Sequence, residues 1–572
     1  MKTFIKGKDR DLESTISTMY TKLETLGITI TEASSLNPLP YAYSLHIHDS
    51  TCPQLFTNGK GASKLSSEAS ALGEFFERLS CNYFFADYYL GEKISSSAFV
   101  HYPNEKWFSN TCDEMMPEGL LDEVLWQYFD PNAELLPSGI YELNSGAGER
   151  GICALSFQRV SDKQEVFFPV NFINNLYVSN GMAAGNTVSE ARVQALSEIF
   201  ERYVKNKIIA EGICLPLIPL EVLEKFSQSK AVIGQLEEHG FNLRVCDASL
   251  GGVFPVISVT LINPKDGSVF ASFGAHPCFE VALERTVTEL LQGRDLNNLD
   301  DFQAPTFNLD EVAEAGNLET HFVNATGLLS YEFFKEEADY EFVEWNHDSD
   351  TSTEEEYLSK IIHENGFEIY IADYEHTGVY ACRILVPGMS EIYPIEDLLW
   401  SNNNEGARFR ETILNLKNLD EEVWQELFDV LEEGTFNDML NVAEFIGIIP
   451  DENTKWESLK IGELKAMLAL ALGDIESALE WNAWSLHTSD EDRSFYRCLD
   501  ALLEIHSDDL KDYEEYAPSL EMMYTQEILE LCVKLINQDE LFYGLHSPGL
   551  GLDGFNNHQK LLEAYVKVHK LA

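Results

Sequence analysis

The chain has 572 residues, with 96 acidic against 39 basic side chains, a formal charge of −57. That balance excludes the basic face that nucleic acid or an anionic membrane surface requires, while 45% hydrophobic and 12% aromatic residues exclude an unfolded acidic chain. No run approaches the length of a membrane-spanning helix, and MKTFIKGKDRDLEST lacks the apolar core of a signal peptide. The ten cysteines (52, 81, 112, 153, 214, 246, 278, 382, 498 and 532) form no CxxC pair. They read as buried thiols of a soluble cytoplasmic protein.

In chain order, strand signals fall at Tyr43 to Ile47, Val166 to Val170, Val253 to Ile262, Glu368 to Tyr374 and Tyr380 to Val386, each rich in β-branched or aromatic residues. Helical patterns lie between them. Residues 1–400 are therefore predicted as an α/β or α+β domain. Within it, residues 335–358 are very acidic and read as a solvated insertion. Residues 401–415 read as a linker. Residues 416–572 predict a C-terminal all-α, helical-hairpin domain, in which Glu463 to Leu486 resembles a tetratricopeptide unit broken at Leu472-Gly473-Asp474.

The strongest internal signal is a repeat. GASKLSSEASALGEFFER, starting at Gly61, aligns without a gap on GNTVSEARVQALSEIFER, starting at Gly185. Both start at a glycine, carry Ser, Thr or Asn at the helix start, and end Glu-x-Phe-Glu-Arg. On a wheel of about 100° per residue, Glu190, Gln194 and Glu198 fall within about 60° of Glu201. Val193, Leu196, Ile199, Phe200 and Tyr203 take the other side. The first copy places Glu74 and Glu77 on one face with Ser66 and Ser70. Leu65, Ala69, Leu72 and Phe76 lie opposite. A third helix, VALERTVTELLQGR from Val281, groups Arg285, Glu289 and Gln292.

Three solvated amphipathic helices would explain the polarity of these faces, but not the shared ending or the arginine beside glutamate in all three (Arg78, Arg202, Arg285). If the faces converge, two bare carboxylates about 5 Å apart cost roughly 3 kcal/mol at an effective dielectric near 20. Several such pairs require cations, and oxygen-only ligation favours Mg²⁺. Mg²⁺ with arginines and glycine-rich approaches is the chemistry of a nucleoside triphosphate site. No Walker loop is present, and Gly59-Lys60-Gly61 alone is a weak signal.

NGKGASKLSSEASALGEFFERLS, SNGMAAGNTVSEARVQALSEIFER and ALERTVTELLQGR resemble the three ATP-binding motifs of the YcaO family. The likeness extends through TFIKGKD, FTNGKG, YPNEKWF, SFGAHP and IADYEHTGVYACRILVPGMS to the helical C-terminus. It implies a YcaO-type fold with ATP and Mg²⁺ as cofactors. Magnesium ligands would be Glu74, Glu77, Glu190, Glu198, Glu201 and Glu289. Nucleotide contacts would be Lys8, Thr15, Arg78, Asn186, Arg202 and Arg285, with Glu201 and Arg285 in the catalytic roles.

It further implies an ATP hydrolase that phosphorylates a peptide amide oxygen, or a non-catalytic ATP-binding scaffold or adaptor. The resemblance also implies a role as accessory factor in β-methylthiolation of ribosomal protein S12. Its partners would be S12 or the radical-SAM methylthiotransferase RimO, and the assembly a homodimer through the helical region. Three further candidates come from the residues themselves. His46 and His48 share a strand face and read as surface histidines. Cys278 reads as a buried thiol. Asp373, Tyr374 and His376 line either a peptide site or a polar turn.

Overall fold

The computed structural model describes residues 2–109, 115–296, 302–396, 404–488, 493–508 and 510–570. Twelve strands are described: β1 (Ile30–Leu39), β2 (Ala42–Asp49), β3 (Phe56–Gly61), β4 (Lys106–Phe108), β5 (Ile152–Arg159), β6 (Glu165–Pro169), β7 (Met182–Gly185), β8 (Asn242–Asp247), β9 (Val256–Ile262), β10 (Val269–Ala275), β11 (Tyr370–Tyr374) and β12 (Tyr380–Leu385). They form three sheets, of order β1-β2-β3, β10-β9-β8 and β4-β5-β11-β12-β7, with β6 paired to β5. Every ladder between these strands is antiparallel, so the class resolves as α+β.

Four helices position the site: α1 (Leu12–Leu26), α2 (Lys64–Ser80), α3 (Val188–Glu211) and α4 (Phe279–Leu290). The sequence repeat is a structural one, since β3 runs into α2 and β7 into α3. The unit β10–α4 shares this form without sharing the sequence. Ser63 and Thr187 cap the two repeat helices by accepting from the N–H of Ser66 and Glu190. Each strand presents a glycine to its helix. A Cβ on Gly59 would lie 2.0 Å from the Ser67 carbonyl oxygen, one on Gly185 2.7 Å from the Ala191 nitrogen, and one on Gly274 2.8 Å from the Thr286 nitrogen.

Beyond its own strand, each helix packs on another sheet. α2 touches β7, α3 touches β12 and β10, and α4 touches β3. The three strand–helix units thus close a ring. The apolar faces anticipated for the helices are the buried ones: Leu72, Val193, Leu196, Ile199, Phe200, Leu283 and Val287 are each at most 2% accessible.

Three stretches near the expected boundaries pack in particular ways. In the acidic stretch 335–358, Trp345 and Glu354 are buried, and the helix Thr351–Glu364 packs along α3. Residues 335–350 are mostly exposed apart from Trp345, and the chain joins the core only from Thr351 onward. In the expected linker, residues 401–403 lie outside the described part. Arg410 is buried, donating to the carbonyls of Leu143 at 3.4 Å, Asn144 at 3.0 Å and Ile446 at 2.6 Å, so this stretch ties two cores together.

The C-terminal region is helical, with a hairpin of Ile461–Leu472 and Ile475–Thr488 turning at Gly473, where φ is +70°. Its final helix, Asn556–His569, leaves that bundle. Leu561, Ala564, Tyr565 and Val568 join the core that contains α1 and α2. Cys112 is not among the described residues; the other nine cysteines are unpaired and buried.

Candidate functional site

The polar faces of α2, α3 and α4 meet in one recess, and the pairings there are specific. Arg78 Nη2 lies 2.5 Å from Glu74 Oε1, and Arg202 Nε lies 3.2 Å from Glu198 Oε1, each one helical turn apart. Lys60, from β3, pairs with Glu289 of α4. Arg285 Nη1 donates to Gln194 Oε1 at 2.9 Å, joining α4 to α3. Aromatic rings hold two guanidiniums: Arg78 lies over Tyr83, and Arg202 over Phe322 at 4.3 Å.

The electrostatics show that these groups share one field. Burial raises the Glu74 carboxyl above the usual range, with Glu198 adding to this and Arg78, Lys60 and Arg202 opposing it. Burial, then Glu198 and Glu74, push Glu77 well above that range. Lys60 is lowered to about 8, by burial first and then by Arg285, against the pull of Glu201, Glu74 and Glu198. Glu74 and Lys60 nevertheless keep 26% and 25% of their side chains accessible. They line a recess open to solvent, not a sealed interior.

The carboxylates are not bare. Arg78 and Arg202 stand one turn beyond Glu74 and Glu198, and Lys60 reaches in from the strand. Among the described residues, no three His, Cys, Asp or Glu side chains stand close enough to form a ready-made metal shell. Mg²⁺ commonly takes only one or two carboxylates and completes its shell with phosphate oxygens and water, so this donor set fits an ion that arrives with a nucleotide. Arg78 Nε, buried without a hydrogen-bond partner, adds a donor suited to an anionic ligand.

Glu190 stands in a second cluster. It is buried and accepts from the Asp9 N–H at 2.9 Å and Asn186 Nδ2 at 3.0 Å, with Lys8 Nζ at 3.4 Å. Burial alone would raise its carboxyl, but Lys8 and these N–H donors outweigh it and hold the group below the usual range. Thr15, in the first turn of α1, donates to Asn186 Oδ1 at 3.0 Å. Glu190 thus ties the N-terminal segment to α3, with Lys8, Thr15 and Asn186 around it.

Two residues escaped the sequence reading. Lys60 was visible only between two glycines. Lys205, one turn beyond Glu201, is buried, donates to the His321 carbonyl at 2.6 Å, and is lowered to about 7 by burial and by Arg202. Its place four residues beyond Glu201, on the same side of α3, was the one available signal. Outside the recess, His46 contacts Asn58 Oδ1 at 2.8 Å and His48 the Asp49 carbonyl at 2.9 Å. Cys278 is buried, and burial raises its thiol. Asp373 is held by Arg192 and Tyr380.

Oxygen donors interleaved with guanidiniums, on helices that follow glycine-bearing strands and without a Walker loop, define a carboxylate-lined nucleotide-binding protein. Residues 58–390 match the family model described as YcaO cyclodehydratase, ATP- and Mg²⁺-binding, and residues 406–572 match the YcaO cyclodehydratase C-terminal domain. The chain belongs to the YcaO family, and ATP and Mg²⁺ are its cofactors.

A protein of Escherichia coli, named ribosomal protein S12 methylthiotransferase accessory factor YcaO, is 52% identical over 575 residues, covering 99% of this chain and 98% of that one. An uncharacterized protein of Haemophilus influenzae is 51% identical over 576 residues, with the same coverage. Among solved structures, YcaO from Methanopyrus kandleri bound with AMPPCP and Mg²⁺ aligns at a TM-score of 0.41 and 16% identity, covering 66% of this chain and 91% of that one. No helix among the described residues is long and apolar enough to cross a membrane.

Proposed function

We propose that this protein uses ATP to activate a peptide amide, and that it serves as an accessory factor to the methylthiotransferase acting on ribosomal protein S12. The observation that carries the ATP reading is the convergence of Glu74, Glu77, Glu198 and Glu201 on Arg78, Arg202, Arg285 and Lys60 in one solvent-open recess. Magnesium, when bound, neutralises and orients phosphate oxygens.

The chain's own groups divide the remaining work. Glu74, Glu77, Glu190, Glu198, Glu201 and Glu289 would supply the oxygen ligands. Arg78, Arg202 and Arg285 donate N–H groups to phosphate oxygens as negative charge develops. Glu190 also holds Lys8 and Asn186, and through Asn186 Thr15, beside the recess. The amide oxygen attacks the γ-phosphorus in line and the bond to the ADP oxygen breaks. A nucleophile then adds to the activated carbonyl carbon, and phosphate leaves. The partner assignment to S12 or its methylthiotransferase follows the name borne by the 52%-identical relative.

Phosphate release by the purified full-length protein tests the reading. Glu201→Gln and Arg285→Ala are expected to lower turnover at least about 100-fold, in line with the removal of one charge-stabilising group. Equal background rates in wild type and both variants, with ATP binding retained, would instead establish a non-catalytic scaffold.

A further inference from the structure

We propose that the cleft between β5 and β11 binds an extended segment of a basic polypeptide by adding it as a strand. The β5–β11 ladder consists of two residue pairs, Arg159 with Tyr370 and Gln158 with Ile371. Beyond them β11 continues to Tyr374 paired with β12. On the other wall, Leu155 to Phe157 pair with β6, while β4 takes up only Ile152 to Ala154. The unzipped stretch borders a cavity of about 350 Å³ lined by Leu155, Ser156, Ala372 and Tyr374 and, from the segment leading into β4, by Tyr102 to Asn104. Two strand edges that end their mutual pairing leave backbone donors and acceptors for a third strand, the geometry by which extended peptides are captured.

The floor and mouth add selectivity. Tyr102 and Tyr374, stacked with ring centroids 4.6 Å apart, make a rigid, largely buried part of the cleft lining. Glu375 and His376 line the mouth, and Glu375 is exposed. With a chain charge of −57, this favours a basic segment.

The cleft is tied to both repeat helices. The Tyr102 hydroxyl donates to the Ser80 carbonyl at the end of α2, and Asp373 is gripped by Arg192 of α3 at 3.0 Å. A peptide seated there lies alongside the elements that carry Glu74, Glu77, Glu198 and Glu201. The site is separate from the nucleotide recess, and its occupancy is read without ATP. Its failure would therefore leave the nucleotide reading standing, and the reverse holds too.

The test uses full-length protein and a fluorescein-labelled Lys-Val-Lys-Thr-Lys-Val peptide, beside the same peptide N-methylated at alternate residues. The parent peptide is expected to give saturable anisotropy and to slow amide exchange across residues 370–376. Methylation, which removes ladder donors on one edge, is expected to weaken binding about tenfold or more. Ser156→Trp, which fills the cleft, and Glu375→Lys, which reverses the charge at its mouth, should do the same. No saturable binding, equal binding of the methylated peptide, or protection confined to other segments would overturn the proposal. Glu375 lies on the surface, so that variant and the exchange map decide the matter even if Ser156→Trp fails to fold.

Discussion

Glu354 shows how far a single side chain departs from what its sequence context suggests. It sits in an acidic, polar run, yet its side chain is 1% accessible and its Oε2 has no hydrogen-bond partner, with His276 Nε2 3.9 Å away. Burial, then the charges of Asp348, Asp350 and Asp9, raise its carboxyl to about 7 against a backbone donor from Ser349. The unfolded chain gives up this proton near 4.5 while the folded chain keeps it, so stability falls as pH rises from about 4.5 to 7. Glu354→Gln should therefore have a flatter dependence of Tm on pH across that window than wild type. Parallel Tm–pH curves for the two proteins would disprove the assignment. The polar faces of α2, α3 and α4 were legible in the sequence because helical periodicity is local. The partners were not, since Lys60 with Glu289 and Arg285 with Gln194 join residues far apart in the chain.

At the scale of elements, three strand–helix units recur because a glycine in each strand lets its helix approach the backbone. Gly185→Ala would drive a Cβ to 2.7 Å from the Ala191 nitrogen. Backbone cannot yield as a flexible side chain can, so the cost should be about 1–3 kcal/mol, read as a lower urea midpoint with unchanged m-value. Gly234→Ala, whose Cβ would meet nothing within 4 Å, is the control and should be neutral or slightly stabilising. Equal midpoints for the two variants would remove this account of the repeat. β2, β6, β9, β11 and β12 coincide with strand signals read from the sequence. β7, with the sequence MAAG, carries no β-branched or aromatic residue and exists because β12 and α3 enclose it. β3, of sequence FTNGKG, carries only Phe56 and Thr57 as strand formers before two glycines that serve helix contact rather than strand propensity.

For the whole molecule, the final helix decides what can be separated. His558 is fully buried; its Nε2 meets the Tyr89 carbonyl at 2.7 Å while its Nδ1 accepts from the Ile449 N–H at 3.0 Å. Burial holds His558 and His569 down to about 4. The unfolded chain takes up these protons below about 6.5, so their contribution to stability is lost as pH falls from there towards 4.

Ending the chain after Phe555 would strip Leu561, Tyr565 and Val568 from the core behind α2. Leucine-sized truncations in a core cost about 2–5 kcal/mol each. The shortened protein should lose ATP binding together with its cooperative melt. If it instead bound ATP with wild-type affinity, the two parts would be independent after all. The C-terminal region is therefore not an appendage that can be deleted to test docking alone.

From sequence alone came the repeat, the sidedness of its helices, the oxygen-and-guanidinium chemistry of their polar faces, and the helical character of the C-terminus. These are properties of neighbouring residues, and periodicity or aligned motifs report them directly. Tertiary structure decided that Glu190 accepts hydrogen bonds from the N-terminal segment, that Lys60 and Lys205 enter the charged neighbourhood, that the helix from Thr351 packs along α3, and that the last helix returns to the first domain. Each of these depends on which distant surfaces bury one another, and burial and Coulomb energies between remote residues leave no local pattern to read.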